Sequence, residues 1–113
     1  VPKLPLDGNL AAAMHEIAHR QGTVPILDDA SRVAGVITAG DLTRYADEHA
    51  DFLSHSVDQA MNPTPKMVEP EEMATRALSL MQEYGIMAMP VVAPDDRLIG
   101  MIHLHDLLRA GLT

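Results

Sequence analysis

The feature that most constrains this chain is an internal repeat. The matching segments, all 65 residues apart, are Pro25–Leu27 with Pro90–Val92, Arg32–Ile37 with Arg97–Ile102, and Asp41-Leu42 with Asp106-Leu107. No gap interrupts the match between the first of these pairs and the last. Self-similarity at one spacing indicates two copies of a small supersecondary unit. A unit of about 50 residues buries too little surface to be securely stable alone, so we expect the copies to pack on each other.

Within each copy the apolar pattern predicts strand, helix, strand, strand and helix. Met73, Ala77, Leu80, Met81 and Tyr84 follow helical spacing and predict a helix over about 71–84. The first copy has Leu10, Met14, Ile17 and Gln21 in the equivalent region. Short apolar runs predict buried strands at 24–27, 33–37, 89–93 and 98–102. The predicted fold class is therefore α/β (α+β), with two βαββα repeats related by a pseudo-twofold axis.

We assign repeat 1 to residues 1–53, a linker to 54–64 and repeat 2 to 65–113. Asn62-Pro63 marks the linker, because the residue before a proline disfavours helical geometry. The chain begins with Val1 rather than Met, so we expect it to be part of a longer protein.

Composition excludes several classes of function. A net charge of −8 disfavours a nucleic-acid surface, which needs a basic footprint. The absence of cysteine removes disulfides, thiolate nucleophiles and cysteine zinc sites, and fits a cytoplasmic location. No apolar run approaches the ~20 residues of a membrane helix. Neither a phosphate-binding loop nor a nucleophile turn is present, so we predict no catalysis by this chain.

The end of each strand pair carries the most informative residues. The first copy has the pattern Gly-apolar-apolar-Thr-x-x-Asp over Gly35–Asp41, and the second has Gly100–Asp106 with His103 in place of threonine. Thr-x-x-Asp before a helix is a capping box, which accounts for Thr38 structurally. Pure capping would place Ser, Thr, Asp or Asn at 103, whereas this chain has histidine there and keeps Asp106.

These motifs resemble those of the CBS pair, or Bateman module, over essentially the whole chain. The segment Val57–Pro63 is similar to the sequence motif that precedes the second unit of CBS pairs. His103–Gly111 and Thr38–Leu42 are similar, more narrowly, to arabinose 5-phosphate isomerases. That resemblance implies an upstream sugar-isomerase domain that interconverts ribulose 5-phosphate and arabinose 5-phosphate, in the route to the lipopolysaccharide sugar Kdo.

The resemblance also implies a ligand site. Asp41 and Asp106 would hold ribose hydroxyls, Thr38 would meet a phosphate, and 23–25 and 87–90 would flank the base. The implied ligand-binding residues are Thr23, Val24, Pro25, Thr38, Gly40, Asp41, Met87, Ala88, Met89, Pro90, His103, His105 and Asp106. The expected ligand is AMP-like or CMP-Kdo-like, and no cofactor is required. Arg44 and Arg109, three residues after each Asp, either pair with it or cover the phosphate.

Two histidine pairs invite a metal interpretation. His103 and His105 are one residue apart, and His15 and His19 are spaced i, i+4 on a predicted helix. Neither has an evident third ligand, so we predict no metal site, and a solvated helix face explains the second pair.

The leading hypothesis is a regulatory, ligand-sensing module that forms a homodimer, as the family resemblance implies. One alternative is a structural oligomerisation module with degenerate clefts. Another is a stand-alone CBS protein that serves a different effector.

Overall fold

A computed structural model describes residues 3–19 and 22–111. The chain divides between Pro65 and Lys66 into two compact units. Helices and strands alternate in both, which confirms the α/β class. Within the described residues, no helix has the length and apolar character needed to cross a membrane.

The first unit is a three-stranded sheet with two helices. Its elements are β1 (Leu4–Pro5), α1 (Leu10–His19), β2 (Thr23–Leu27), β3 (Val33–Thr38) and α2 (Ala39–Glu48). The strand order is β1-β2-β3, with β1 parallel and β3 antiparallel to β2. Because β3 runs directly into α2, the sheet fixes where that helix begins.

The second unit repeats this arrangement with a reduced first strand. It contains α3 (Met73–Tyr84), β4 (Ala88–Val92), β5 (Leu98–His103) and α4 (Leu104–Arg109), and β4 and β5 are antiparallel. The predicted first strand is a single parallel bridge between Val68 and Val91. A 3-10 turn precedes α3, so the helix begins two residues later than the spacing predicts.

The local irregularities of the two hairpins recur at the spacing of the sequence repeat. The register shifts between Ile26 and Leu27 in the first hairpin, and between Val91 and Val92 in the second. The turns place Ser31 at φ 64° and Asp96 at φ 71°, a left-handed geometry that short polar side chains tolerate. The duplication therefore extends to backbone detail.

Each unit has its own apolar core. The first contains Leu4, Leu10, Ala13, Val24, Ile26, Ile37, Leu42 and Val57. The second contains Val68, Ala77, Leu80, Met81, Met89, Val91 and Leu107. On α1 the buried face is Leu10 and Ala13, while Met14 is exposed and Gln21 lies outside the described residues. Full burial of a Leu, Ile or Val side chain contributes about 1.5–3 kcal/mol.

The segment 49–65 packs on the first unit. It forms two 3-10 turns, Phe52–Ser54 and Val57–Gln59, and Val57 is fully buried. The Val57 amide donates to the Gly8 carbonyl at 2.8 Å. Asn62 and Val36 exchange two backbone hydrogen bonds of 2.8 and 3.0 Å, which adds a bridge along β3. This segment is thus part of the first unit's fold.

Candidate functional site

The first motif is built around the junction between β3 and α2. The Asp41 amide donates to Thr38 Oγ1 at 3.1 Å, and the Thr38 amide donates to Asp41 Oδ2 at 2.9 Å. This reciprocal pair is the capping box that the Thr-x-x-Asp spacing predicts. It holds the Asp41 carboxylate in one orientation, with 16% of the side chain exposed.

Arg44 closes the other side of this carboxylate. Its Nη2 lies 2.5 Å from Asp41 Oδ1, and 72% of the arginine side chain is exposed. A carboxylate has about four acceptor positions, so two partners leave room for more. The guanidinium is exposed, and ion pairs at the surface contribute only about 0–1 kcal/mol to stability. A bound ligand can therefore displace Arg44 from Asp41 at a small cost in free energy. Of the two roles that the sequence left open for Arg44, the structure shows pairing with the aspartate.

An open hollow of about 410 Å³ lies beside Asp41 in the first unit. It is lined by Asp41, Arg44, Tyr45, Asp47, Glu48, Gln59 and Ala60. Small-molecule sites commonly have volumes of about 300–1,000 Å³. Three carboxylates and one guanidinium make the lining net negative, which disfavours a multiply charged anion there.

Tyr45 connects the hollow to a cluster of rings. Its hydroxyl donates to Gln59 Oε1 at 2.8 Å and contacts His55 Nδ1. His55 Nε2 lies 3.1 Å from Asp51 Oδ1, and the Tyr45 ring stacks on His49 with centroids 4.0 Å apart. These contacts fasten the end of α2 to the segment 49–65.

Sequence reasoning missed this cluster. Burial raises the pKa of Tyr45 above its ordinary value of 10.0, and the Asp51 and Asp58 carboxylates raise it further. The hydrogen bond with His55 lowers the pKa of Asp51 below 3.8. Tyr45 follows Asp41 by four residues and so shares its helix face, which was the available signal.

The second motif surrounds Asp106 with one guanidinium and two imidazole side chains. Asp106 Oδ1 lies 3.1 Å from Arg109 Nη2 and 3.2 Å from His105 Nε2. Its Oδ2 lies 3.6 Å from His103 Nδ1 and accepts the His103 amide at 3.3 Å. The Asp106 side chain is 39% exposed, so this carboxylate is more open than that of Asp41.

The ionisation of Asp106 follows from these contacts. Desolvation is the largest influence and raises its pKa, but the hydrogen bond from the His103 amide, the electrostatic influence of His105, the Arg109 hydrogen bond and the electrostatic influence of His103 together outweigh it. The net effect is a pKa below 3.8. Asp106 is therefore ionised at neutral pH.

The residues predicted to flank the ligand differ in their position and in their exposure to solvent. Thr23 pairs with Thr38 across the first hairpin, and Ala88 pairs with His103 across the second, so these lie beside the motifs. Gly40 lies in the first turn of α2. Met87 is exposed by 67% and its carbonyl accepts the Leu104 amide at 2.8 Å. The other flanking side chains, which are buried, are Val24, Pro25, Met89 and Pro90.

The histidine pairs do not assemble a metal centre among the residues that the structure describes, where no three His, Cys, Asp or Glu side chains are grouped for one. His15 and His19 lie with ring centroids 4.3 Å apart, and His19 Nδ1 contacts the His15 carbonyl at 2.8 Å. The latter contact is an ordinary i, i+4 interaction of a solvated helix face.

Comparison with known families decides what this pair of units is. The CBS domain family profile matches residues 1–48 and 57–113. The chain belongs to the CBS domain family. Its two matches correspond to the two copies of the repeat, so the chain is a CBS pair, as its motifs indicate.

Relatives and solved structures extend this result. The CBS pair is 37% identical to the arabinose 5-phosphate isomerase KdsD of Pseudomonas aeruginosa over 113 residues, covering 99% of this chain and 35% of that protein. It therefore spans about a third of the length of the curated relatives it matches. The resemblance to arabinose 5-phosphate isomerases is confirmed at this level.

Two solved CBS structures have the same fold. CBSX2 in complex with AMP has a TM-score of 0.87 at 23% identity, covering 99% of this chain and 87% of its own. A CBS domain pair in complex with 5′-methylthioadenosine and S-adenosyl-L-methionine has a TM-score of 0.79 at 22% identity, covering 98% and 88%.

Proposed function

We propose that this CBS pair is the ligand-sensing module of an arabinose 5-phosphate isomerase. The observation that carries the proposal is the duplicated aspartate, Asp41 and Asp106. Each is held at the third position of a helix by the amide of the residue that ends the preceding strand. A carboxylate fixed in this way can accept the two hydroxyls of a ribose diol without reorganising.

The ligand class is a nucleotide or sugar nucleotide. Complexes of similar CBS folds with AMP and with adenosyl compounds support it. The relatives at 36–37% identity are isomerases named for arabinose 5-phosphate, which supports CMP-Kdo as an end-product ligand. A ligand that binds one conformation of the module more tightly than another would shift the conformational equilibrium of the attached enzyme. The size of the shift is set by the difference between the two affinities.

Titration of AMP, CMP-Kdo and adenosine into the chain tests this proposal, with melting temperature and calorimetry as readouts. A binding ligand raises the melting temperature in a saturable way. We expect D106N to weaken binding at least about tenfold, because hydrogen bonds to charged groups contribute about 1.5–3 kcal/mol. D41N tests the first motif in the same way, and D29N, at an exposed turn of the same unit, is its control.

One observation favours a structural role as a second candidate. Both motif carboxylates already have partners within their own units: Asp41 has Thr38 and Arg44, and Asp106 has His103, His105 and Arg109. If the module only assembles subunits, no ligand above produces a saturable rise in melting temperature up to millimolar concentration. That result would contradict the ligand-sensing function and support a structural role in subunit assembly.

The homodimeric state and the cytoplasmic location stay predictions. Analytical ultracentrifugation of the chain measures the first, and we expect a sedimentation coefficient of a dimer. Fractionation of cells that produce the parent protein measures the second.

A further inference from the structure

Two of the differences between the copies of the motif place a histidine in the second copy. Thr38 corresponds to His103, and Gly40 corresponds to His105. Arg44 and Arg109 occupy the same position and contact the same carboxylate oxygen in each copy. The second motif therefore keeps the aspartate and arginine of the first and adds two imidazoles.

Both imidazoles lie against the Asp106 carboxylate. His105 Nε2 is 3.2 Å from Oδ1, His103 Nδ1 is 3.6 Å from Oδ2, and the two ring centroids are 6.0 Å apart. His103 is 23% exposed and His105 is 61% exposed, so solvent reaches both. An ion that approaches Asp106 from solvent therefore meets two imidazoles and the Arg109 guanidinium.

In the first copy a different group occupies the space of the second imidazole. A Cβ at Gly40 would lie 3.3 Å from Arg44 Nη1 and 3.7 Å from Thr38 Oγ1. The guanidinium thus folds across the glycine, next to a hollow that Asp47 and Glu48 make acidic. The absence of a side chain at position 40 permits this close approach.

The charge balance of the two motifs diverges as a result. Asp106 and Arg109 cancel, so the second motif is neutral when its histidines are neutral and gains one positive charge with each imidazole that protonates. The first motif lies beside additional carboxylates and holds no imidazole at the equivalent positions. The second motif therefore attracts anions more strongly once its imidazoles are protonated, whereas the imidazoles beside the first hollow, His49 and His55, lie against Tyr45.

The elements packed against the second motif add few competing charges. Besides His103, β5 carries no ionisable side chain. The helix α3, which packs on α4, carries Arg76, Glu83 and Tyr84. Arg76 lies 3.7 Å from Glu72, and the Lys66 ammonium lies 4.4 Å above the Tyr84 ring.

We propose that His103 and His105 make the second motif the phosphate-selective half of this CBS pair, with an affinity that rises as the imidazoles protonate. This inference rests on the proposed nucleotide-binding function. It depends on side chains alone, since α4 has six residues and its amides do not enter the argument. Imidazolium and guanidinium together offer a phosphate charge-assisted hydrogen bonds.

The capping chemistry separates this role from a structural one. Thr38 and His103 are the N-cap residues of their helices, a position at which threonine is preferred and histidine is not. H103T supplies the hydroxyl that Thr38 uses in the first copy, so its melting temperature should equal or exceed that of the wild type. Its phosphate binding should nevertheless weaken, which a purely structural histidine would not predict.

Calorimetry of the full chain with AMP, adenosine and inorganic phosphate, at about pH 6, 7 and 8 and constant ionic strength, tests the inference. The AMP phosphate itself titrates near pH 6, so the informative quantity is the difference between wild type and H103Q/H105Q. Between about pH 8 and pH 6, we expect the AMP affinity of the wild type to increase by a factor roughly tenfold larger than that of H103Q/H105Q. H15Q/H19Q is the matched control, because it removes another histidine pair by the same substitution, and it should follow the wild type.

Each outcome is decisive. If the affinity for inorganic phosphate shows the same difference between wild type and H103Q/H105Q, the effect arises at the phosphate group. If the affinity for adenosine shows it, phosphate selection is contradicted. Equal pH profiles for wild type and H103Q/H105Q overturn the inference while leaving nucleotide binding intact. An absence of saturable binding by AMP and by CMP-Kdo contradicts the proposed function, and the inference with it.

Discussion

The two units share one sequence pattern but differ in what covers the end of the hairpin. In the first unit Met61 and Asn62 lie over β3, and Asn62 pairs with Val36. Around Gly100, the equivalent of Gly35, no heavy atom of the described residues other than its chain neighbours lies within 4 Å of the Cβ position. The two equivalent strands therefore differ in how closely they are covered, because the segment that packs on the first has no counterpart at Gly100 in the part of the chain that the structure describes.

The largest expected effect is that of Gly35→Ala. A Cβ there would lie 2.5 Å from the Asn62 carbonyl oxygen and 2.7 Å from Met61 Sδ, so backbone must move. Overpacking of this kind costs about 1–3 kcal/mol, and we expect the upper part of that range. Urea denaturation followed by circular dichroism measures it.

Gly100→Ala is the matched control. With open space at its Cβ position, it should change stability by no more than about 0.5 kcal/mol. Equal losses in the two variants would mean that the segment 61–62 does not cover β3 in solution, and would remove the contrast between the units.

The two tyrosines provide an intermediate test. Tyr45→Phe removes the hydroxyl contacts to Gln59 and His55 that fasten α2 to the segment 49–65. We expect a fall in melting temperature of about 4 °C, because two hydrogen bonds are lost while the ring remains. Differential scanning fluorimetry measures the shift.

Tyr84→Phe keeps the ring that faces the Lys66 ammonium, so its melting temperature should match the wild type. The two tyrosines belong to different units, and the pair of variants therefore probes the segment 49–65 specifically. A silent Tyr45→Phe would contradict the fastening role of its hydroxyl.

The smallest expected effect concerns acid stability at Asp106. Its folded pKa lies below the ordinary value of 3.8, so it stabilises the fold above that value and loses this contribution as the pH falls through the folded pKa. Asp106→Asn should lower the urea midpoint slightly at neutral pH and have no effect once the wild-type carboxyl is protonated. Asp29→Asn, at an exposed turn of the first unit, is the control, and a difference that persists at low pH would exclude the ionic origin.

The repeat and the capping pattern were accessible from sequence because both are local. Helical spacing placed α3, and Thr-x-x-Asp predicted the bonds between Thr38 and Asp41. The role of the segment 49–65 was not accessible in this way. Asn62-Pro63 signals an interruption of regular structure, but nothing local shows that Val57 is fully buried or that Asn62 pairs with Val36.

By itself the sequence determined the duplication, the α/β class and the positions of the two aspartates, because periodicity and turn chemistry act over a few residues. The tertiary structure alone decided which distant residues join the local partners of those aspartates. Asp106 gathers two imidazoles and a guanidinium, whereas Asp41 lies beside an acidic hollow completed by Tyr45 and Gln59. Electrostatic environment depends on the distances between side chains, and only the folded chain brings the distant Gln59 to the hollow beside Asp41.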